Sequence, residues 1–391
     1  MTGELGGLAL PRTLIVTGHF PPSHGGVQRF TAEMARHLPP EQVVVAALTR
    51  SDEMGASDVE DRRFGAPVHR IRGPWYANPR FTREVIDLAQ RHECEAAWIT
   101  SAMPLGAIAP VLRRAGIERV TVSTHGMEVG WSRVAPARSV MRSLSRSIDV
   151  LTYLGEFTRP HMERVIAPEV ELRKLTGGVD VDQFHPGASA DEVRALHGLE
   201  GRRVVVSVSR LVPRKGQDML LRAWPAVLRR HPDAVLLVVG DGPHRRVLEQ
   251  LASDLGVSAH VRFAGMVSDA VLPNYLAAAE VFALPCRTVW HGLQPEGLGL
   301  CTLEASATGL PVVVGDSGGA PEALIDGQTG IVVDTDHVPG LADALCTLLD
   351  DPQLARRMGN AGRRWVEQHW TWQQMAARLA ETLTDPLEQA A

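Results

Sequence analysis

The chain has 391 residues, 45% of them apolar, enough for two cores of ordinary domain size. Its formal net charge of −5 speaks against a basic nucleic-acid binder, and no run of roughly 18 uncharged apolar residues predicts a membrane-spanning helix. The four cysteines, Cys94, Cys286, Cys301 and Cys346, are too scattered for a disulfide framework or a zinc site, and fit a reducing cytoplasm.

Short apolar runs alternate with longer amphipathic stretches, the pattern of repeated β-α units in mostly parallel sheets. In the first half, strands are expected at 13–18, 43–48, 67–71, 96–100, 119–124, 149–153 and 172–176. The first runs through Phe20-Pro21-Pro22 into Gly25-Gly26 and a helix at 27–38. A glycine pair there lets backbone N–H groups approach a pyrophosphate at a helix N-terminus; the plainer reading is a tight turn. His125-Gly126 follows strand 119–124 at its carboxyl end, where α/β sheets place ligands. Arg138, Arg142 and Arg146 recur every fourth residue and would form one basic stripe on a helix. Such a stripe suits an anionic membrane surface, or is a solvated face in an Arg-rich chain.

The polar stretch 185–202, with a helical piece at 191–198, separates this set from strands expected at 203–208, 234–239, 261–264, 280–284, 311–314 and 330–333. The expected domains are 1–190 and 191–370, followed by a helix-bearing tail at 371–391. Strand 203–208 runs into Arg210-Leu211-Val212-Pro213-Arg214-Lys215-Gly216. Arg suits bidentate phosphate binding and Lys supplies a mobile point charge. Lys215 is one of only two lysines, the other being Lys174, so its place beside a glycine at a strand end is unlike generic surface charge. Arg214 ranks below Arg210 and Lys215 as a phosphate ligand. In Gly240-Asp241-Gly242-Pro243 the glycines let the chain pass beneath a nucleotide, while Asp241 is read as a cap for the next helix.

Glu296 and Glu304 stand eight residues apart in Pro295-Glu296-Gly297-Leu298-Gly299-Leu300-Cys301-Thr302-Leu303-Glu304. The first lies in a glycine-punctuated loop and the second about two turns into a helix. The backbone of Gly297, Leu298 and Gly299 is then available to an anion, with a carboxylate at each end for hydroxyl groups. A nucleotide-sugar has hydroxyls at both ends and a diphosphate between them. Ser317-Gly318-Gly319-Ala320-Pro321-Glu322 either lines such a pocket or is a tight turn opening a helix. Asp180-Val181-Asp182 and Asp334-Thr335-Asp336 spell Asp-x-Asp, a pattern that can hold a divalent metal; here both are read as turn acids. Helical periodicity at 371–388 aligns Trp372, Met375, Leu379 and Leu383.

The Glu-x7-Glu run, the segment 209–217 and the loop 20–28 resemble retaining GT-B glycosyltransferases of glycosyltransferase family 4. Thr124–Trp131 and Pro285–Thr288 resemble the actinobacterial phosphatidylinositol-mannoside α-1,6-mannosyltransferases within it. The resemblance implies two Rossmann-like domains facing each other across a cleft, with the terminal helix crossing back to the first. It implies His125 over the donor sugar, Arg210 and Lys215 on the diphosphate, Glu296 near the sugar and Glu304 on the ribose. In a front-face reaction neither acid is required as a general base, since the departing phosphate oxygen can accept the acceptor proton; alternatively Glu296 is a nucleophile.

The implied reaction is transfer of mannose from GDP-mannose to a phosphatidylinositol mannoside in glycolipid biosynthesis, with retention and no metal cofactor. The implied location is the cytoplasm, peripheral on the inner face of the plasma membrane where the Arg stripe is used. Alternatives are a soluble small-molecule glycosyltransferase using a UDP-sugar, and a non-catalytic sugar-nucleotide-binding protein. Met127 departs from the His-Gly-His-Glu form of the closer group, and the loop 287–295, with Trp290 and His291, departs from its Gly-rich form.

Overall fold

A computed structural model of the chain describes residues 10–384 apart from 24, 50–60, 63, 74–77 and 291. His24, His291 and the end of the terminal amphipathic stretch, 385–388, lie outside the described residues. The chain divides into two units, Met1–Gly178 with Trp372–Ala391, and Val179–Thr371. The boundary expected at 190/191 falls inside the second unit. Val179 and Phe184 are fully buried in that unit's core, and Val179 N–H donates to Trp370 O at 2.7 Å.

The first unit holds seven strands: β1 (Thr13–Thr17), β2 (Val43–Thr49), β3 (Val68–Arg72), β4 (Ala96–Ile99), β5 (Arg119–Ser123), β6 (Val150–Tyr153) and β7 (Glu171–Lys174). They pair in parallel in the order β3-β2-β1-β4-β5-β6-β7. The second unit holds β8 (Arg203–Val208), β9 (Ala234–Val239), β10 (Val261–Gly265), β11 (Val281–Leu284), β12 (Val312–Gly315) and β13 (Gly330–Val333). These are also parallel, in the order β10-β9-β8-β11-β12-β13.

All thirteen expected strands form. In the central strands the apolar runs are nearly continuous rather than alternating, because helices cover both faces of a parallel sheet; every residue of β2 and of β9 is buried, whereas the edge strands β3, β7 and β10 carry charged residues and are largely half-buried. In each sheet the chain moves outward from its first strand, then returns to that strand's other side. The reversals lie between β1 and β4 and between β8 and β11, and ligands of doubly wound sheets bind outside the carboxyl ends of strands at such a reversal.

The helix Trp372–Thr384 belongs to the first unit's core. Trp372, Met375, Leu379 and Leu383 are buried with Ile15, Phe30, Val45 and Trp98. Each such side chain contributes about 2 kcal/mol of transfer free energy before ordering costs. Two polar contacts fix the helix's position: Arg119 Nε donates to Thr382 O at 2.7 Å, and Thr176 Oγ1 to Met375 Sδ at 3.1 Å.

Candidate active site

In the second unit, β8 ends at Val208 and the chain passes through Ser209 and Arg210 to a 3-10 turn, Pro213–Lys215, ahead of the helix Gln217–Arg230. Gly216 joins turn and helix at φ +73°, and a Cβ on it would lie 1.8 Å from Pro285 O. Only glycine lets the turn sit against the exit of β11, and that approach carries Lys215 into the interior. Gly240, after β9, serves Arg210 in the same way: a Cβ there would meet Ser209 O at 2.0 Å. Asp241 does not cap the following helix. Its carboxylate accepts from the adjacent Gly242 N–H at 2.7 Å, and Arg245–Asp254 has no side-chain cap.

Lys215 Nζ lies 2.7 Å from Glu296 Oε2, and both residues are buried. Arg214 Nη1 donates to the same oxygen at 2.6 Å. Arg214 therefore points into this cluster rather than standing behind Arg210. Burial alone would raise the Glu296 pKa, but the charges of Lys215 and Arg214 and their hydrogen bonding outweigh it and hold the carboxyl below its ordinary range. Burial likewise opposes the Lys215 charge, and Glu296 more than restores it, so the ammonium pKa is raised. Arg210 is exposed and has no ion-pair partner among the described residues.

Beyond Glu296, the Gly297-Leu298-Gly299 backbone leads into the helix Leu300–Ala307, on which Glu304 is buried. Ser317-Gly318-Gly319 opens a 3-10 turn, Ala320–Ala323, in place of the expected helix. Its glycines are required for packing: Cβ atoms on Gly318 and Gly319 would lie 2.2 Å from Glu296 O and 2.1 Å from Gly297 O. Gly319 N–H donates to Glu296 O at 2.9 Å, so this turn holds the Glu296 loop in place.

In the first unit, Gly25 and Gly26 open the helix Gly26–Arg36, which has no side-chain N-cap. Gly25 is extended, and a Cβ on Gly26 would meet nothing within 4 Å, so packing does not explain that glycine and the backbone there stays open to a ligand. His125 follows β5, and Phe30 of the same helix packs edge-on against its ring at 5.1 Å. Its Nε2 lies 2.5 Å from Thr100 O; a carbonyl only accepts, so Nε2 carries the proton and Nδ1 is the ring's second hydrogen-bonding atom. Its main-chain N–H donates to the buried Glu128 carboxylate at 3.0 Å. Burial lowers the His125 pKa against the opposing Thr100 bond, and burial also raises that of Glu128.

Reasoning from the sequence missed His19, Glu128 and the direction of Arg214. His19 lies just beyond β1, at the strand-order reversal. Burial and the neighbouring His125 lower its pKa, and its Nδ1 is buried without a hydrogen-bond partner among the described residues. Its place one residue after a strand-glycine end was the available signal. The direction of Arg214 left no local signal, because its partner is 82 positions away.

The two Asp-x-Asp pairs are engaged in turns. Asp180 Oδ1 accepts from the N–H groups of Asp182 and Gln183, and Asp334 Oδ1 from that of Asp336. Arg138, Arg142 and Arg146 are all exposed; the first two lie on the helix Ala135–Ser145 and the third caps its end. Arg142 Nε also donates to Ile166 O at 3.1 Å. Met127 is 71% exposed, and Trp290 is exposed at φ +54° in a loop closed by a Val289–Gln294 bridge.

Two parallel sheets, each reversing beside its first strand with polar groups gathered at the reversal, define the GT-B class of glycosyltransferase. The family described as Glycosyltransferase Family 4 matches residues 24–183, and that described as Glycosyl transferases group 1 matches 189–365. The GDP-mannose-dependent alpha-(1-6)-phosphatidylinositol monomannoside mannosyltransferase of Mycolicibacterium smegmatis is 42% identical over 95% of this chain and 98% of its own. The Corynebacterium glutamicum enzyme, named for the monoacylated form of that acceptor, is 38% identical over 95% and 97%. Among solved structures, HepE of Anabaena in complex with UDP matches with a TM-score of 0.80 at 20% identity, over 95% of this chain and 99% of its own. The chain belongs to glycosyltransferase family 4.

Proposed function

We propose that this protein transfers mannose from GDP-mannose to a hydroxyl of a phosphatidylinositol monomannoside, forming an α-1,6 linkage with retention and without a metal ion. The observation that carries the substrate assignment is the 42% identity to the mycolicibacterial enzyme across nearly the full length of both chains. The Lys215–Glu296–Arg214 cluster supports the reaction chemistry.

Breaking the bond from the sugar C1 to the diphosphate leaves negative charge on the departing oxygen, and Lys215 and Arg210 are the cations assigned to it. The leaving oxygen takes the proton of the attacking hydroxyl on the same face of the sugar, so the new C1–O bond keeps the configuration of the old. Glu296, with one oxygen engaged by two cations, is assigned to charge balance and a sugar hydroxyl rather than to nucleophilic attack. His125 Nδ1 is assigned to a donor-sugar hydroxyl, the open Gly25-Gly26 turn to the diphosphate and Glu304 to the ribose.

For a lipid-linked acceptor the surface around Ala135–Ser145 is apt. Trp131, Val134 and Val140 are 36%, 49% and 49% exposed beside Arg138, Arg142 and Arg146. We assign peripheral contact with an anionic membrane to this surface.

The test is transfer of label from GDP-mannose to phosphatidylinositol monomannoside in anionic vesicles, read by solvent extraction with and without a chelator. Label in the lipid phase in both arms is expected. Intact donor with wild-type protein would refute the substrate assignment, and loss of transfer on chelation would refute metal independence.

A further inference from the structure

Arg214 and Lys215 are consecutive residues of one tight turn, yet their side chains converge on a single oxygen, Glu296 Oε2, at 2.6 and 2.7 Å. The turn is held on both sides: Gly216 lies against Pro285 O, and Arg287 N–H donates to Arg214 O at 2.8 Å. Arg287 is itself anchored by a 2.8 Å ion pair with Asp218. The backbone bearing both cations therefore stays fixed against the exit of β11, and adjustment falls to the side chains. The two differ in kind. Lys is a point charge on a flexible stem, whereas the planar Arg fork is pre-organised for a carboxylate and loses less freedom per hydrogen bond formed.

A donor diphosphate carries more charge than one carboxylate and draws the ammonium toward itself. Glu296, whose side chain is 7% exposed, would then lose a partner in the interior and take up a proton unless another cation remained. We propose, resting on the transfer reaction above, that Arg214 is a positioning residue that keeps Glu296 ionised and in place while Lys215 moves from Glu296 to the donor diphosphate. The groups facing Glu296 are Arg214 and Lys215 from the turn, Cys286 from the exit of β11 and Cys301 from the helix Leu300–Ala307. Burial pushes both thiols up to about 12, so they stay neutral and add no second negative charge beside Glu296, and a thiol cannot stand in for a cation. Arg214 is thus the cation left on that oxygen.

The test is calorimetric titration of the full chain with GDP at mildly acidic pH, in buffers of different ionisation enthalpy, for wild type, Arg214→Met and Arg214→Lys. Arg214→Met should take up about one proton more per GDP bound than wild type, because Glu296 protonates as Lys215 leaves it. Arg214→Lys should return the count close to that of wild type. In steady-state transfer, Arg214→Met should lower kcat about tenfold with the donor KM changed less than about threefold, and should move the acid limb of the kcat profile upward. A wild-type proton count and acid limb in Arg214→Met would overturn the proposal, as would failure of Arg214→Lys to restore either. Wild type that binds GDP but transfers no mannose would sink the proposed reaction while the proton count still decides the role of Arg214. Wild type that binds no GDP would sink both.

Discussion

Replacing Lys215 by Ala removes a buried cation that is paired with Glu296 and assigned to the donor diphosphate. A single preorganised group facing charge that develops in the transition state contributes about 2.7–4 kcal/mol, a factor of roughly 10² to 10³ in kcat. The stability effect is separate and smaller. Breaking a buried pair costs about 3–5 kcal/mol when it strands a charge. Here Arg214 remains on the same Glu296 oxygen at 2.6 Å, so about 1–3 kcal/mol is expected instead. At about 2–4 °C per kcal/mol for a domain of this size, Tm should fall by roughly 2–12 °C while the protein stays folded at assay temperature. The assay is mannosyl transfer at saturating acceptor, with kcat and donor KM separated, alongside thermal melts of Lys215→Ala, Glu296→Gln and the double variant. Coupling between the two substitutions should appear in Tm, because each removes one side of the same Lys215–Glu296 ion pair. A lowered Tm with kcat within about threefold of wild type would refute the leaving-group role and reduce Lys215 to a structural counter-ion.

Gly216→Ala should destabilise by about 3 kcal/mol or more, combining a left-handed backbone with a Cβ 1.8 Å from Pro285 O; a loss below about 1 kcal/mol in urea denaturation would contradict the packing account. Exchanging Arg138, Arg142 and Arg146 together for Ser should weaken sedimentation with anionic vesicles by up to roughly 100-fold, at about 1 kcal/mol per Arg. Unchanged vesicle binding at low salt would remove the membrane role of that helix. His125 and His19 both have folded-state pKa values below the ordinary 6.5, so the unfolded chain takes the extra proton first. Their stability contribution is full above about 6.5 and is lost as pH falls through the folded values. Tm should therefore drop between neutral and mildly acidic pH, and His125→Gln should flatten that drop; an identical pH dependence in the variant would contradict the assignment.

The sequence by itself determined the positions of the strands. Runs such as Val43–Leu48 and Ala234–Val239 are apolar throughout, and an uninterrupted run of that length in a β-α alternation belongs in a sheet covered on both faces. It also exposed Lys215, Glu296 and Glu304, because a rare lysine beside a glycine and two acids among glycines depart from the local background. What those acids and cations touch was not legible. Arg214 and Lys215 meet Glu296 across about eighty residues, and the Ser317-Gly318-Gly319 turn locks the same loop through backbone contacts that only glycine permits. His125 was visible as a residue at a strand end, but its tautomer follows from Thr100 O, on another strand's exit. The assignment of residues 179–190 to the second unit also needed the fold, since the polar stretch after them looked more like a boundary than the buried Val179 and Phe184 allow. Period and composition act within a few residues of chain. Ion pairing, tautomer choice and close backbone approach depend on which strands lie side by side, and that order was settled only when the sheets assembled.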